Sequence, residues 1–82
     1  MRVDLALKYL CLARSRSSVK TLCDKQAVRV NGRAIKASSN LHANDHVVIE
    51  RRGGVLDVVI IAVPGKQLSK TEAREYYRVV HD

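Results

Sequence analysis

The dipeptide Asn31-Gly32 constrains the fold of this chain more than any other feature of its sequence. Asn-Gly between two extended segments is a strong signal for a tight β-hairpin, because both central positions of that turn require a positive φ. Residues 27–30 alternate apolar and basic side chains, and residues 34–36 supply a return strand. The sequence therefore predicts a small antiparallel sheet, with a conformational role for Asn31 and Gly32.

Two helical segments precede this hairpin. The first covers residues 4–12, and the negative charge of Asp4 suits its first turn. Ser15 is a favourable N-cap for the second, which covers residues 16–25 and presents one apolar face. That face consists of Val19, Leu22 and Cys23.

The rest of the chain predicts more strands and a closing helix. After a loop with a turn at Asn44-Asp45, β-branched runs at 46–50 and 55–63 flank a glycine-containing turn. Ser69 and Glu72 have the spacing of a capping box, which predicts a helix over residues 70–77. The order indicates one α+β domain spanning residues 1–82: two N-terminal helices packed on a small, mostly antiparallel sheet, with a short C-terminal helix.

Positive charge is confined to the first half of the chain. Residues 1–36 carry nine basic side chains against two acidic ones, whereas residues 37–82 carry six of each. The whole formal charge of +7 therefore lies in the first 36 residues, and a one-sided basic field favours a polyanion such as nucleic acid. The only aromatic residues are three tyrosines, so recognition is expected to rest on phosphates and shape rather than base stacking.

Seven basic residues are candidates for RNA contacts. Arg16 and Lys20 extend from the positive end of the second helix, where the free amides attract phosphate. Arginines of the hairpin join them if it packs beside that helix. The alternatives are a solvated charged face and, for Arg2, an ion pair with a nearby acid. The full set is Arg2, Arg14, Arg16, Lys20, Arg29, Arg33 and Lys36.

The sequence offers no recognisable catalytic, metal or cofactor site. Cys11 and Cys23 lack a C-x-x-C arrangement, and we interpret them as small buried hydrophobes, with a disulfide as the alternative. His42 and His46 are interpreted as surface histidines. No apolar run reaches the length of a membrane span. We therefore expect a non-catalytic cytosolic protein without cofactor or metal, and no membrane partner.

The first helix is apolar around much of its circumference. Leu5, Tyr9 and Leu12 form a second stripe beside the expected core face. Either the C-terminal helix covers this stripe, or Leu5, Tyr9 and Leu12 stay partly exposed and dock a protein partner or a second copy.

Four short motifs, in order, resemble the RNA-binding domain named after small-subunit ribosomal protein S-four. Gln26 and Asn44 stand where that pattern has glycine, so a left-handed backbone at Gln26 would carry strain. The resemblance covers residues 1–50, and residues 51–82 extend it with further sheet and the C-terminal helix. The motifs are Arg2-Val3-Asp4, Arg14-Ser15-Arg16-Ser17, Val28-Arg29-Val30-Asn31-Gly32-Arg33 and Lys36-Ala37-Ser38.

The short chain resembles the stand-alone members of that family. These are the small ribosome-associated heat-shock protein and short factors of bacterial ribosome-associated quality control. The resemblance implies binding to large-subunit ribosomal RNA on stalled ribosomes carrying peptidyl-tRNA, with tRNA as a second RNA partner. It also implies that Arg16, Lys20, Arg2 and Lys36 occupy RNA-contacting positions. The alternatives are an accessory module that binds structured RNA or tRNA for a separate enzyme, and a small basic DNA-binding protein.

Overall fold

The computed structural model describes residues 1–81 of the chain, and side-chain surroundings for residues 1–80. It has the expected α+β fold. None of the helices within residues 1–81 has the length and apolar character needed to cross a membrane. The elements are α1 (Val3–Tyr9), α2 (Arg16–Asp24), β1 (Val28–Val30), β2 (Arg33–Ala34), β3 (His46–Arg51), β4 (Gly54–Ile60), α3 (Lys70–Ala73) and β5 (Tyr77–His81).

The five strands form one antiparallel sheet in the order β2-β1-β3-β4-β5. Alternate residues of its strands point to one face, and α1 and α2 cover that face. Together they bury a continuous apolar core. Its main members are Val3, Leu7, Leu10, Val19, Val28, Val47, Ile49, Val58 and Ile60.

The hairpin turn is formed as predicted. Asn31 has φ 53° and Gly32 has φ 83°, so both central residues are left-handed. The Asn31 side chain also accepts a hydrogen bond from the His46 amide and donates one to Asp45, each at 3.0 Å. Asn31 therefore fixes the hairpin to the start of β3.

Both long helices end in Schellman motifs without glycine. After α2, Gln26 has φ 59° and the Ala27 amide donates to the Leu22 carbonyl at 2.8 Å. The left-handed backbone considered for Gln26 is thus present. After α1, Cys11 also has φ 59°, and the Leu12 amide donates to Leu7 at 3.0 Å. This second motif ends α1 at Tyr9, three residues before the predicted end.

The prediction for the C-terminal segment is wrong in part. The capping box is present, with the Ser69 hydroxyl accepting from the Glu72 amide and the Glu72 carboxylate from the Ser69 amide. The helix, however, is a single turn, and residues 77–81 form β5 instead. The free edge of β4 explains the difference, because pairing along it satisfies the backbone of a β-branched and aromatic segment. The strand predicted over 55–63 also ends earlier, at Ile60.

The two apolar stripes of α1 have different surroundings. Val3 and its neighbours on the core face are buried, as expected. The alternative in which Leu5, Tyr9 and Leu12 stay partly exposed is wrong for Leu12, which is only 7% exposed. The chain reversal at Cys11 turns Leu12 into the core. Leu5 and Tyr9 are half-buried, while Tyr76 and Tyr77 pack against the core.

Both cysteines are free thiols. Cys23 is buried on the apolar face of α2, and burial raises the pKa of its thiol. Cys11 is half-buried, and its thiol donates to the Leu68 carbonyl at 3.2 Å. The disulfide alternative is therefore wrong.

Candidate nucleic-acid interface

The start of α1 is fixed against the loop that follows β2. The amides of Val3 and Asp4 donate to the carbonyls of Ser39 and Ala37 at 2.7 and 3.1 Å. These bonds use helix N-terminal amides that would otherwise lack partners. They also bring Arg2 next to the segment that carries Lys36.

Asp4 is the organising residue of this region. It is only 5% exposed, and its two oxygens accept from Nε and Nη2 of Arg2, each at 3.1 Å. The same carboxylate accepts from the Leu5 amide at 2.8 Å and lies 3.5 Å from Nη2 of Arg16. One buried acid therefore holds the arginine before α1 and the arginine that opens α2.

The charge of Asp4 is maintained by these partners. Burial alone would raise the pKa of this carboxyl. The hydrogen bonds from Arg2 and the Leu5 amide, with the nearby charge of Arg16, outweigh burial, so the pKa lies below its ordinary value of 3.8. Asp4 is therefore ionised at neutral pH and keeps both guanidiniums in place.

Arg2 and Asp4 line an open groove of about 320 Å³, referred to below as groove A. Its cations are Arg2, Lys20 and Lys36, and Arg16 is joined to it through Asp4. The side chains of Arg2 and Arg16 remain 50% and 48% exposed, so each has donors available to a ligand. Groove A and the adjoining Arg16 thus offer a phosphate backbone four cations, of which Arg2 and Arg16 are held in place by Asp4.

The first turn of α2 adds to this positive field. Ser15 is its N-cap, as predicted, and forms a reciprocal capping box with Ser18. The cap satisfies one amide and leaves the partial positive charge of the helix end directed at the region of Arg16.

Not all predicted candidates meet at groove A. Val28 and Val30 are buried while Arg29 is exposed, so Arg29 points to the opposite face of the sheet. Arg29 therefore does not join Arg16 and Lys20 at groove A. Arg33 is exposed on the edge strand β2, and Arg14 lines a different groove.

That different groove contains cations absent from the sequence-based set. Arg14 is joined there by Lys8, Arg51 and Lys70. The last two belong to the half of the chain with no net charge, so local charge counting gave no signal for them. Only the tertiary structure brings them beside α1.

A family model identifies the helix pair and the Asn-Gly hairpin as a small S4-type domain. This sequence model of the S4 domain family matches residues 1–47, which is more than half of the chain. The chain belongs to the S4 domain family.

The chain is also similar to two named proteins. The RQC P-site tRNA stabilizing factor of Streptococcus pneumoniae strain R6 is 32% identical over 82 residues, covering the whole chain and 92% of that protein. The factor of the same name from Halalkalibacterium halodurans is 34% identical over 79 residues, covering 96% of the chain and 89% of that protein.

A solved structure has the same fold. Heat Shock Protein 15 of Vibrio cholerae superposes with a TM-score of 0.91, covering 98% of this chain and 81% of that one, at 19% identity. At this identity the match concerns the fold alone.

Proposed function

We propose that this protein binds ribosomal RNA of the large subunit and acts in quality control of stalled ribosomes that carry peptidyl-tRNA. The observation that carries the proposal is groove A, where a buried carboxylate fixes two exposed arginines beside two lysines. The names of the two relatives, which match nearly the full chain, support a role beside tRNA in the same process.

Within this proposal the cations have different tasks. Arg16 and Arg2 bind RNA phosphates from fixed positions, and Lys20 and Lys36 supply further charge across groove A. Arg33 extends the contact along the hairpin edge, and Arg14 and Arg29 meet RNA on other surfaces. Asn31 and Gly32 maintain the turn. The protein acts in the cytoplasm and binds without catalysing a reaction.

Crosslinking in cells, followed by sequencing of the bound RNA, tests the proposal. The expected result is enrichment of large-subunit ribosomal RNA, lost in the Arg2→Ala/Arg16→Ala double variant and kept in Lys66→Ala. Enrichment of another structured RNA, or of tRNA without ribosomal RNA, would support an accessory module for a separate enzyme instead.

A protein contact through α1 is a second part of the proposal. Leu5 and Tyr9 are half-buried, and neither belongs to the described side chains that pack against the core. We expect Leu5→Lys to keep RNA affinity while reducing binding to a protein partner or a second copy. Sedimentation equilibrium measures the self-association. If wild type and Leu5→Lys are both monomeric, and both bind ribosomes equally, α1 makes no such contact.

A further inference from the structure

The groove that contains Arg14 lies at the other end of α1 from groove A. It is an open depression of about 590 Å³, referred to below as groove B. Its cations are Lys8, Arg14, Arg51 and Lys70, and its lining contains no acidic residue. Groove A, in contrast, is lined by two acids as well as its cations.

The cations of groove B are not used in ion pairs within the described part of the protein. None of the four has a carboxylate oxygen within 4.0 Å among residues 1–80, whereas Arg2, Arg16 and Lys20 each pair with a carboxylate. Four like charges around one depression repel each other and are screened by counterions. A polyanion that displaces those counterions binds favourably.

Hydrogen bonds at the C-terminal end of α1 also make this region more suitable for an anion. The last carbonyls of a helix carry partial negative charge, which would repel a phosphate. Here the side-chain amide of Gln67 lies 3.2 Å from the Lys8 carbonyl and 3.4 Å from the Tyr9 carbonyl, and donates towards them. This amide covers carbonyls at the groove wall, so cations dominate the local field.

We propose that groove B is a second binding site for an RNA phosphate backbone, separate from groove A. Arg14 and Arg16 stand two residues apart, yet one lines groove B and the other pairs with Asp4 beside groove A. The start of α2 therefore lies between two cationic surfaces. The protein can hold two RNA segments, or two parts of one folded RNA, on either side of this helix end.

The proposal rests on the proposed RNA-binding function and deepens it, because it assigns the surface around Arg14 as a defined second site with its own set of cations. RNA is the occupant favoured by charge, because it carries one negative charge per nucleotide and these cations have no carboxylate partner among residues 1–80. An acidic protein segment would be recognised by the same charges, and the experiment below includes it as an outcome.

The test uses two double variants with equal loss of charge. Arg51→Gln/Lys70→Gln removes half of the cations of groove B, and Arg52→Gln/Lys66→Gln is the control, since both of its residues are exposed and line neither groove. Both are made in the Arg16→Ala background, so groove A contributes less. We expect the groove B variant to bind a fluorescent oligouridine about 10-fold more weakly than the control at moderate salt.

Lysine acetylation read by mass spectrometry gives a second readout that needs no variant. In the wild-type protein, bound oligouridine should protect Lys8 and Lys70 from acetylation and leave Lys66 reactive. Native mass spectrometry should detect two RNA molecules on the wild type and one on Arg51→Gln/Lys70→Gln when Arg16 is retained.

The outcomes separate the two proposals. If the wild type binds no RNA, the proposed function fails. If it binds RNA while the two double variants behave alike and Lys8 and Lys70 stay reactive, only groove B is overturned. Polyglutamate is the probe for an acidic protein segment. If the groove B variant binds polyglutamate more weakly than the control does, while both bind RNA equally, groove B is overturned as an RNA site and is assigned to an acidic protein segment.

Discussion

Asp4 has a role at the residue scale that its charge alone would not suggest. It is an acid beside a groove expected to bind phosphate, so simple Coulomb repulsion predicts that removing it strengthens RNA binding. The structure predicts the reverse, because Asp4 fixes the exposed guanidiniums of Arg2 and Arg16. The sign of the change in RNA affinity therefore distinguishes positioning from charge.

Asp4→Asn is expected to weaken RNA binding and to lower the free energy of unfolding by about 1–3 kcal/mol, because a buried charged hydrogen-bond acceptor is lost. Asp24→Asn is the matched control, since Asp24 pairs with Lys20 at an exposed site and such pairs contribute about 0–1 kcal/mol. Urea unfolding and a binding titration measure the two effects. Stronger RNA binding by Asp4→Asn would refute the positioning role.

Stability should also depend on pH through Asp4. Because folding lowers the pKa of its carboxyl below the ordinary 3.8, the ionised form stabilises the fold above that value. This stabilisation is lost as the pH falls through the lowered pKa of the folded state. Acid titration of the unfolding free energy should therefore show a shallower decline below pH 3.8 in Asp4→Asn than in wild type.

Arg16→Ala is expected to weaken RNA binding more than any other single substitution. Charge-assisted hydrogen bonds of this kind contribute about 1.5–3 kcal/mol, and the end of α2 adds its own positive field. Folding should change little, because Arg2 still pairs with Asp4 through two bonds. A fluorescence titration in which Arg16→Ala matches wild type, and Lys66→Ala does not, would contradict this assignment.

At the scale of elements, the ends of α1 and α2 show how the sequence can satisfy a helix end without glycine. Left-handed backbone costs a non-glycine residue roughly 1 kcal/mol. Gln26 and Cys11 both adopt it, and the amides that follow them close the 6→1 hydrogen bonds. The bonds compensate for the strain, and they allow each helix to turn sharply into the next element.

Gln26→Gly is expected to keep stability or raise it by up to about 1 kcal/mol, since glycine removes the strain but adds freedom to the unfolded chain. Lys25→Gly is the control, because Lys25 has φ −88° and gains nothing from glycine. Thermal unfolding measures both variants. Equal destabilisation of the two would show that Gln26 carries no strain that glycine can relieve.

For the whole molecule, salt dependence is the most direct measure of how much binding comes from phosphates. With roughly four to six phosphates neutralised, the logarithm of the binding constant should fall with the logarithm of salt at a slope of about −3 to −5. Titrations of the wild type across a range of potassium chloride concentrations provide the slope. A slope near zero would mean that stacking or apolar contacts dominate.

Local signals in the sequence were sufficient for most of the fold. The Asn31-Gly32 turn, the Ser15 cap and the Ser69 capping box each depend on neighbouring residues, and all three are present. The fifth strand was missed because its formation depends on the distant free edge of β4 rather than on its own pattern.

In the candidate site, too, some residues were predictable from local sequence patterns and others were not. Helical spacing predicts that Arg16 and Lys20 lie on the same side of α2. Strand alternation places Arg29 on the face of the sheet opposite to the buried valines on either side of it. Arg51 and Lys70 could not be assigned to groove B by any local signal, because they are remote in sequence from Lys8 and Arg14. Counting charges along the chain does not reveal clusters whose members are distant in sequence and come together only in the folded protein.

The shared carboxylate of Asp4 also has a consequence for how this protein can vary. Positions 2, 4 and 16 depend on one electrostatic contact, so substitutions there are not independent. Once Asp4 is replaced, Arg2 and Arg16 lose the partner that orients them, and a second change at either position costs less than it does in the wild type. Viable sequences should therefore change these three positions together, and a library that randomises them jointly will recover solutions that single substitutions cannot reach.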